Sequence, residues 1–156
     1  MKGKQWLALL AAAALVLALA AVGSARQNVS YQVGARMIVK EEVPAPKNPS
    51  LFGGQFAGVI RGGKFQGLVG YVLRGGIVKY TVVAAHIHHA KRGKVGPVVL
   101  TLCSGNCPPG AKTLQFAVSS RLFGWMRAGE TYVNVHTKGN PAGEIRGQVV
   151  VGKPLG

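Results

Sequence analysis

Short apolar segments alternate with glycine-containing turns along most of the chain. Successive side chains of a β-strand point to opposite faces, so a run in which apolar and polar residues alternate predicts a half-buried strand. Residues 51–60 and 65–73 form such runs on either side of Gly62 and Gly63, and this arrangement predicts a hairpin. The sequence shows neither the period of a long amphipathic helix nor an alternation of strands with helices. We therefore expect a fold made of strands.

Further strand candidates extend this pattern over the rest of the chain. They are residues 33–43, 77–88, 98–102 and 113–118, with a final hairpin at 131–151. Together the candidates give about seven to eight strands at a spacing of roughly ten residues, which is typical of β-sandwiches and Greek-key barrels. Residues 122–129 form one helical turn or a covered loop in this interpretation. The predicted fold class is all-β, a Greek-key β-sandwich or barrel.

All four histidines of the chain fall in or beside two of these strands. His86 and His88 are two positions apart on one strand and therefore share a face, whereas His89 points to the opposite face. His136 lies on a second strand, close to the C-terminus. Neutral imidazole is the commonest metal-binding side chain, and three histidines on strand faces suit copper or zinc. His86, His88 and His136 are therefore the candidate metal ligands, with copper or zinc as the candidate cofactor.

A structural role for these histidines is the alternative. Histidines on strand faces often form hydrogen bonds to a neighbouring backbone or carboxylate group and so hold loops in place. Asn134, Glu144 and Arg146 lie in or next to the second histidine segment and form the candidate structural network. Under this interpretation the histidines position the two loops that follow them.

The two histidine segments resemble a known family. The chain reads AAHIHHAKRGKVGPVVLTL at residues 84–102 and YVNVHTKGNPAGEIRGQVVV at 132–151, and EEVPAP precedes them at 41–46. Both segments, in this order, are similar to the CHRD domain, which is named from chordin and is widespread in secreted bacterial proteins. The resemblance extends from about residue 31 to residue 151. It implies an all-β fold, and the His-x-His strand beside a glycine-rich loop is loosely similar to the copper-zinc superoxide dismutase sandwich.

The resemblance implies less about activity than about fold. In chordin the domains belong to an extracellular antagonist of growth factors, and most bacterial members have no assigned activity. An extracellular binding role is therefore what the family implies, without a reaction.

The N-terminal 25 residues have the composition of a secretory signal peptide. Lys2 and Lys4 precede an uncharged apolar run at residues 6–22, which small residues follow. We expect cleavage after Ala25, which leaves residues 26–156 as a single CHRD domain without a stable transmembrane anchor. The protein is then secreted, periplasmic or attached to the cell surface. An uncleaved signal retained as a membrane anchor is the alternative.

Cys103 and Cys107 are the two cysteines of the chain, and in this interpretation they lie in a turn after the strand at 98–102. Cysteines of an exported protein usually pair, so we predict a disulfide between them. The bond closes a small loop and therefore fixes the shape of that loop more than it stabilises the fold. A soft-metal or redox pair is the alternative.

The charge of the chain excludes several classes of function. Lysine and arginine total 19, against four glutamates and no aspartate, and the formal net charge is +15. A Ser-His-Asp triad and an oxygen-rich calcium loop both lack their carboxylates, so we assign no catalytic residues and expect no enzyme. The cations are spread along the chain and lack interleaved aromatic residues, which disfavours nucleic acid as a partner.

These observations predict an exported protein with a binding role in the extracytoplasmic space. An extracellular protein or an anionic envelope polymer is the expected partner, because a basic surface attracts anionic surfaces. We expect a monomer. A small copper or zinc metalloprotein is the first alternative function, and a structural module of the cell envelope is the second.

Overall fold

The computed structural model describes residues 29–73, 82–107 and 110–155, and it shows an all-β domain. The strands are β1 (Ser30–Ile38), β2 (Leu51–Arg61), β3 (Lys64–Leu73), β4 (Val82–His89), β5 (Val98–Cys107), β6 (Gly110–Ala117), β7 (Thr131–Thr137), β8 (Ile145–Gln148) and β9 (Val150–Leu155). A 3₁₀ turn at Val39–Glu41 follows β1, and the helix α1 (Ser120–Arg127) precedes β7. The predicted fold class is confirmed.

The strands form one antiparallel sheet that nearly closes as a barrel. Their order is β5-β4-β7-β8-β1-β2-β3-β6, and β9 pairs with β1 beside this path. The described residues form nine strands, one or two more than expected, because the last segment divides at Val149. On either side of this residue, β8 pairs with β7 and β9 pairs with β1. The order makes neighbours of β4 and β7, which carry the histidines.

The β2–β3 hairpin forms where the sequence predicts it. Gly62 and Gly63 have φ values of +54° and +72°, which residues other than glycine rarely adopt and which a tight two-residue hairpin turn requires. Phe56 and Phe65 are buried and stack across the two strands, with ring centroids 4.8 Å apart. The turn therefore places two aromatic side chains of the core against each other.

The hydrophobic core lies against one face of β4, β7 and β8. Its members on these strands include Ala85, Ile87, Val133, Val135 and Ile145, all 0% exposed. Because side chains alternate along a strand, the residues between them point to the opposite face. The histidine strands are therefore apolar on the core face and carry polar side chains on the other face.

The sequence predicts either one helical turn or a covered loop at residues 122–129. Most of this segment belongs to the eight-residue helix α1. The Oγ atom of Ser119 accepts a hydrogen bond from the backbone N–H of Leu122 at 3.1 Å and so caps the helix. Leu122 and Met126 are buried in the core, and Phe123 contacts Tyr31 with ring centroids 5.0 Å apart. The helix thus adds apolar side chains to a core built mainly by strands.

Cys103 and Cys107 form the predicted disulfide, with Cα atoms 6.0 Å apart. Both cysteines lie inside β5 and not in a turn after it, so the predicted end of this strand is wrong. The strand continues because its pairing with β4 shifts register: Ala85 faces Cys103, while Val82 faces Cys107. Such an irregularity takes up an extra residue on one strand and lets the pairing resume beyond it.

Two predictions fall outside the described residues. The signal peptide at residues 1–25 is one, and the first part of the strand at 77–88 is the other. None of the helices in the described part of the chain is long and apolar enough to span a membrane.

Candidate metal centre

The pairing of β4 with β7 brings the three candidate ligands together. In this pairing His88 faces Tyr132, and Ala84 faces His136. Residues that face each other on neighbouring strands point to the same side of a sheet, and His86 shares its side with Ala84 and His88. The three histidines therefore all lie on the face opposite the hydrophobic core.

The ring nitrogens of the three histidines converge. One nitrogen from each ring lies within 4.8 Å of the others, and His86 Nδ1 is 3.2 Å from His136 Nε2. The ring centroids are 5.0 Å apart for His86 and His136, 5.7 Å for His86 and His88, and 5.9 Å for His88 and His136. Two nitrogens that share one ion lie at most about 4 Å apart, because the usual metal–nitrogen distance is about 2.0–2.1 Å, so the rings have to move closer together to bind one ion.

Backbone carbonyl groups fix the orientation of two of the rings. His88 Nδ1 donates to the carbonyl of Gly96 at 2.9 Å, and His136 Nδ1 donates to the carbonyl of Pro141 at 3.0 Å. A carbonyl oxygen only accepts, so each neutral ring has its proton on Nδ1 and a lone pair on Nε2. Nε2 of His88 is buried and has no hydrogen-bond partner among the described residues. Metal-binding histidines usually show this arrangement, with one nitrogen on a carbonyl and the other available to the ion.

The surroundings of all three imidazoles favour the neutral form, which is the form that binds metals. Burial lowers the pKa of each ring, because it disfavours the charged form. The neighbouring histidines lower the pKa of His86 further, and His136 and Arg146 do the same for His88. The hydrogen bonds to the carbonyl groups act in the opposite direction and are outweighed. Protons therefore compete with a metal ion only at a more acidic pH than they do at an ordinary histidine.

Tyr132 and Arg146 form a stack with His88. The rings of Tyr132 and His88 are almost parallel, with an interplanar angle of 9° and centroids 4.8 Å apart. The guanidinium carbon of Arg146 lies 3.4 Å from the centroid of the Tyr132 ring, which is a cation–π contact. Tyr132 and Arg146 are each 1% exposed. The stack fixes the plane of one candidate ligand and places a buried cation behind the ring of Tyr132, which alone separates it from the cluster.

The loop at residues 90–97 covers this stack. The side chains of Arg146 and Gln148 donate to backbone carbonyls of the loop at 3.3 and 3.0 Å. The backbone N–H of Gly96 donates to the hydroxyl of Tyr132 at 3.3 Å. The loop that orients His88 is therefore itself held by side chains of β7 and β8.

Glu144 holds a different segment in place. Its carboxylate is 0% exposed, and Oε1 accepts from the N–H and hydroxyl of Ser50 and the N–H of Leu51 at 2.5–2.8 Å. Oε2 accepts from the side chains of Thr137 and Asn140. Burial acts to raise the pKa of Glu144, but these hydrogen bonds outweigh it and the pKa is lowered. One buried carboxylate thus joins the start of β2 to the turn after β7.

Asn134, Arg146 and Glu42 form a separate buried group. Asn134 Nδ2 donates to Glu42 Oε1 at 3.2 Å. Burial raises the pKa of Glu42 to about 7, although its hydrogen bonds and the charge of Arg146 act in the opposite direction. The three residues predicted as one structural network therefore lie in two groups, with Glu144 in one and with Asn134 and Arg146 in the other.

His89 stays outside the cluster. Its ring stacks on Trp125 with centroids 4.1 Å apart, and its Nε2 atom lies 3.7 Å from the carboxylate of Glu130. Sequence reasoning did not single out Gly96, whose carbonyl orients His88, or Glu42, which accepts a hydrogen bond from Asn134. Glu42 belongs to the EEVPAP segment that marks the family, so a usable signal existed for it.

The fold and the site define a class of protein, namely an all-β domain nearly closed as a barrel, with a histidine cluster on the sheet face opposite the core. The family follows from comparison with known families, in which the CHRD domain matches residues 25–149. The chain belongs to the CHRD domain family. CHRD domains are typically extracellular modules of a binding type. No match was found among curated proteins or among solved structures.

Proposed function

We propose that this protein is an exported CHRD module that binds one transition-metal ion through His86, His88 and His136 in the extracytoplasmic space. The observation that carries the proposal is the buried Nε2 atom of His88, which lacks a hydrogen-bond partner in the described part of the chain and belongs to a ring of the cluster. A buried polar atom without a partner is costly, and a bound ion removes that cost.

Copper and zinc fit the donor set. The cluster that the described residues form contains three neutral imidazoles and no carboxylate, whereas calcium and magnesium require oxygen ligands. Three protein ligands leave a coordination position open for a water molecule or another small ligand. The arrangement supports a binding role, and we assign it no reaction.

Metal titration of the mature, disulfide-bonded protein, made without a histidine tag, tests the proposal. We expect one ion per chain for copper or zinc. His88→Ala and His136→Ala each remove a ligand, so each is expected to weaken binding by about a hundredfold or more. His89→Ala is the matched control, because His89 is a histidine of the same strand that stacks on Trp125 outside the cluster. This variant should bind metal like the unchanged protein.

Cu(I), Cu(II) and Zn(II) are each titrated, and circular dichroism shows whether every variant remains folded. The proposal fails if none of the three ions binds more tightly than about 1 μM. It also fails if His89→Ala loses as much affinity as His88→Ala, because binding would then not depend on the cluster.

Gly96→Ala is expected to weaken metal binding without removing a ligand. A Cβ atom at this position would overlap the carbonyl oxygen of His89 and lie 2.8 Å from its carbonyl carbon, so the loop has to move. His88 then loses the carbonyl that fixes its Nδ1–H, and we expect about tenfold weaker binding. Val95→Ala is the control in the same loop, since Val95 is 67% exposed. Equal metal affinity of Gly96→Ala and the unchanged protein would show that the loop does not position the ligand.

A further inference from the structure

We infer that the ion selected by this site is copper in its monovalent state. The inference rests on the proposed function, because it assigns identity and charge to the ion that the three histidines bind. Donor atoms do not decide the question, since imidazole binds zinc as well as copper. The charges around the cluster distinguish a monovalent ion from a divalent ion.

The cluster offers no negative charge to a bound ion. The chain has no aspartate, and no carboxylate of the described residues joins the three rings. The four glutamates have other contacts: Glu41 with Arg92, Glu42 with Asn134, Glu130 with Lys91, and Glu144 with Ser50 and Thr137. A divalent ion bound by the three neutral imidazoles therefore retains a net charge of +2, whereas a monovalent ion retains a net charge of +1.

A fixed positive charge lies close to the cluster. Arg146 is 1% exposed, and its guanidinium group is stacked on the ring of Tyr132, which in turn stacks on the ring of His88. A guanidinium group stays protonated in proteins. Because the group is buried, water screens its charge less than it screens the exposed lysines and arginines.

Glu41 and Glu42 cancel part of this charge. Burial raises the pKa of the Glu42 carboxyl to about 7, so Glu42 carries only part of a negative charge near that pH. Within the described part of the chain, Nη1 of Arg146 is buried without a hydrogen-bond partner. The part of the charge of Arg146 that these carboxylates leave uncompensated acts on the histidine cluster.

Coulomb repulsion then discriminates between ions. At a separation of roughly 10 Å and an effective dielectric constant of about 20, each elementary charge on the ion weakens its binding about 15-fold in the field of Arg146. Cu(II) and Zn(II) meet this penalty twice, and Cu(I) meets it once. A divalent ion has to bind an additional anion at its open coordination position to offset this extra repulsion by Arg146. Cu(I) needs no such anion.

Competition titrations under anaerobic conditions at pH 6.5 test the inference on the mature protein. Cu(I) is titrated against bicinchoninate, and Cu(II) and Zn(II) are titrated against nitrilotriacetate. We expect the dissociation constant for Cu(I) to be lower than the constants for both divalent ions by at least about tenfold.

Arg146→Met tests the origin of the preference. Without the cation, the ratio of the Cu(II) to the Cu(I) dissociation constant is expected to fall about 15-fold, which lowers the reduction potential of the bound copper by about 70 mV. Arg146→Lys retains the charge and should retain most of the ratio. Arg127→Met is the matched control, because Arg127 also lies over an aromatic ring, 6.0 Å from the centroid of Phe123, but is exposed on α1.

The outcomes separate this inference from the proposed function. If neither copper ion nor zinc binds, both fail. If Cu(II) or Zn(II) binds more tightly than Cu(I), the proposed function stands and the inference is wrong. The inference is also wrong if a folded Arg146→Met variant keeps the original ratio. Should that variant not fold, the competition titration of the unchanged protein decides by itself.

Discussion

Replacing Glu144 by alanine is expected to lower the free energy of unfolding by about 4 kcal/mol. The carboxylate is 0% exposed and accepts hydrogen bonds from Ser50, Leu51, Thr137 and Asn140. Alanine leaves these donors buried without an acceptor, and each unpaired donor costs about 1–3 kcal/mol before the structure relaxes. Unfolding in guanidinium chloride measures the decrease in the free energy of unfolding. A variant that does not fold would mean that this decrease is at least as large as the stability of the unchanged protein.

Two further variants show that the loss comes from the buried hydrogen bonds. Glu130→Ala removes a carboxylate that lies 3.7 Å from Lys91 with 30% of its side chain exposed, so it should cost less than about 1 kcal/mol. Glu144→Gln keeps one acceptor oxygen and is expected to fall between the two. If Glu144→Ala costs no more than Glu130→Ala, the carboxylate does not hold β2 in place.

The lowered pKa of Glu144 also gives the direction of a pH dependence. Its carboxylate stabilises the fold above the pKa of the unfolded chain, and this contribution is lost as the pH falls through the lower pKa of the folded state. Acid should therefore destabilise the unchanged protein more than it destabilises Glu144→Gln.

Glu42→Gln is expected to stabilise the protein at pH 8 and to have little effect at pH 4.5. Burial raises the pKa of Glu42 from 4.5 to about 7, so ionising this side chain in the folded state costs about 3 kcal/mol. Glutamine is neutral at every pH and still offers an oxygen to the N–H of Val43, which donates to Glu42 Oε1 at 3.0 Å. The measurement is the free energy of unfolding of both proteins across this pH range.

The sign follows from proton binding in the two states. Between pH 4.5 and about 7, the folded chain holds a proton on Glu42 that the unfolded chain has released, so its contribution to stability falls as the pH rises. Glu41→Gln is the matched control, because the neighbouring carboxylate pairs with Arg92 near the surface. A gain from Glu42→Gln that is equal at both pH values would rule out ionisation as its cause.

Features that depend on neighbouring residues were predictable from the sequence. The hairpin at Gly62 and Gly63 follows from two glycines between alternating segments, and the shared face of His86 and His88 follows from their spacing on a strand. The all-β class and the disulfide follow from segment spacing and from the redox state of exported proteins. These predictions needed no knowledge of strand order.

Contacts between distant segments were not predictable in this way. Glu144 binds Ser50 across 94 positions of sequence, and Asn134 binds Glu42 across 92. Both contacts depend on the strand order that places β8 between β7 and β1, and an alternating pattern does not specify that order. The position of Cys107 inside β5 likewise depends on a register shift, which a strand acquires only from its partner.

The core and the histidine cluster use alternate positions of the same strands. Along β7, Val133 and Val135 pack into the core, while Tyr132, Asn134 and His136 point to the other side. A substitution in one set leaves the packing of the other set largely in place. Substitutions on this face can therefore add, exchange or remove a histidine while the barrel retains its core, so the chemistry of the face and the fold can change independently.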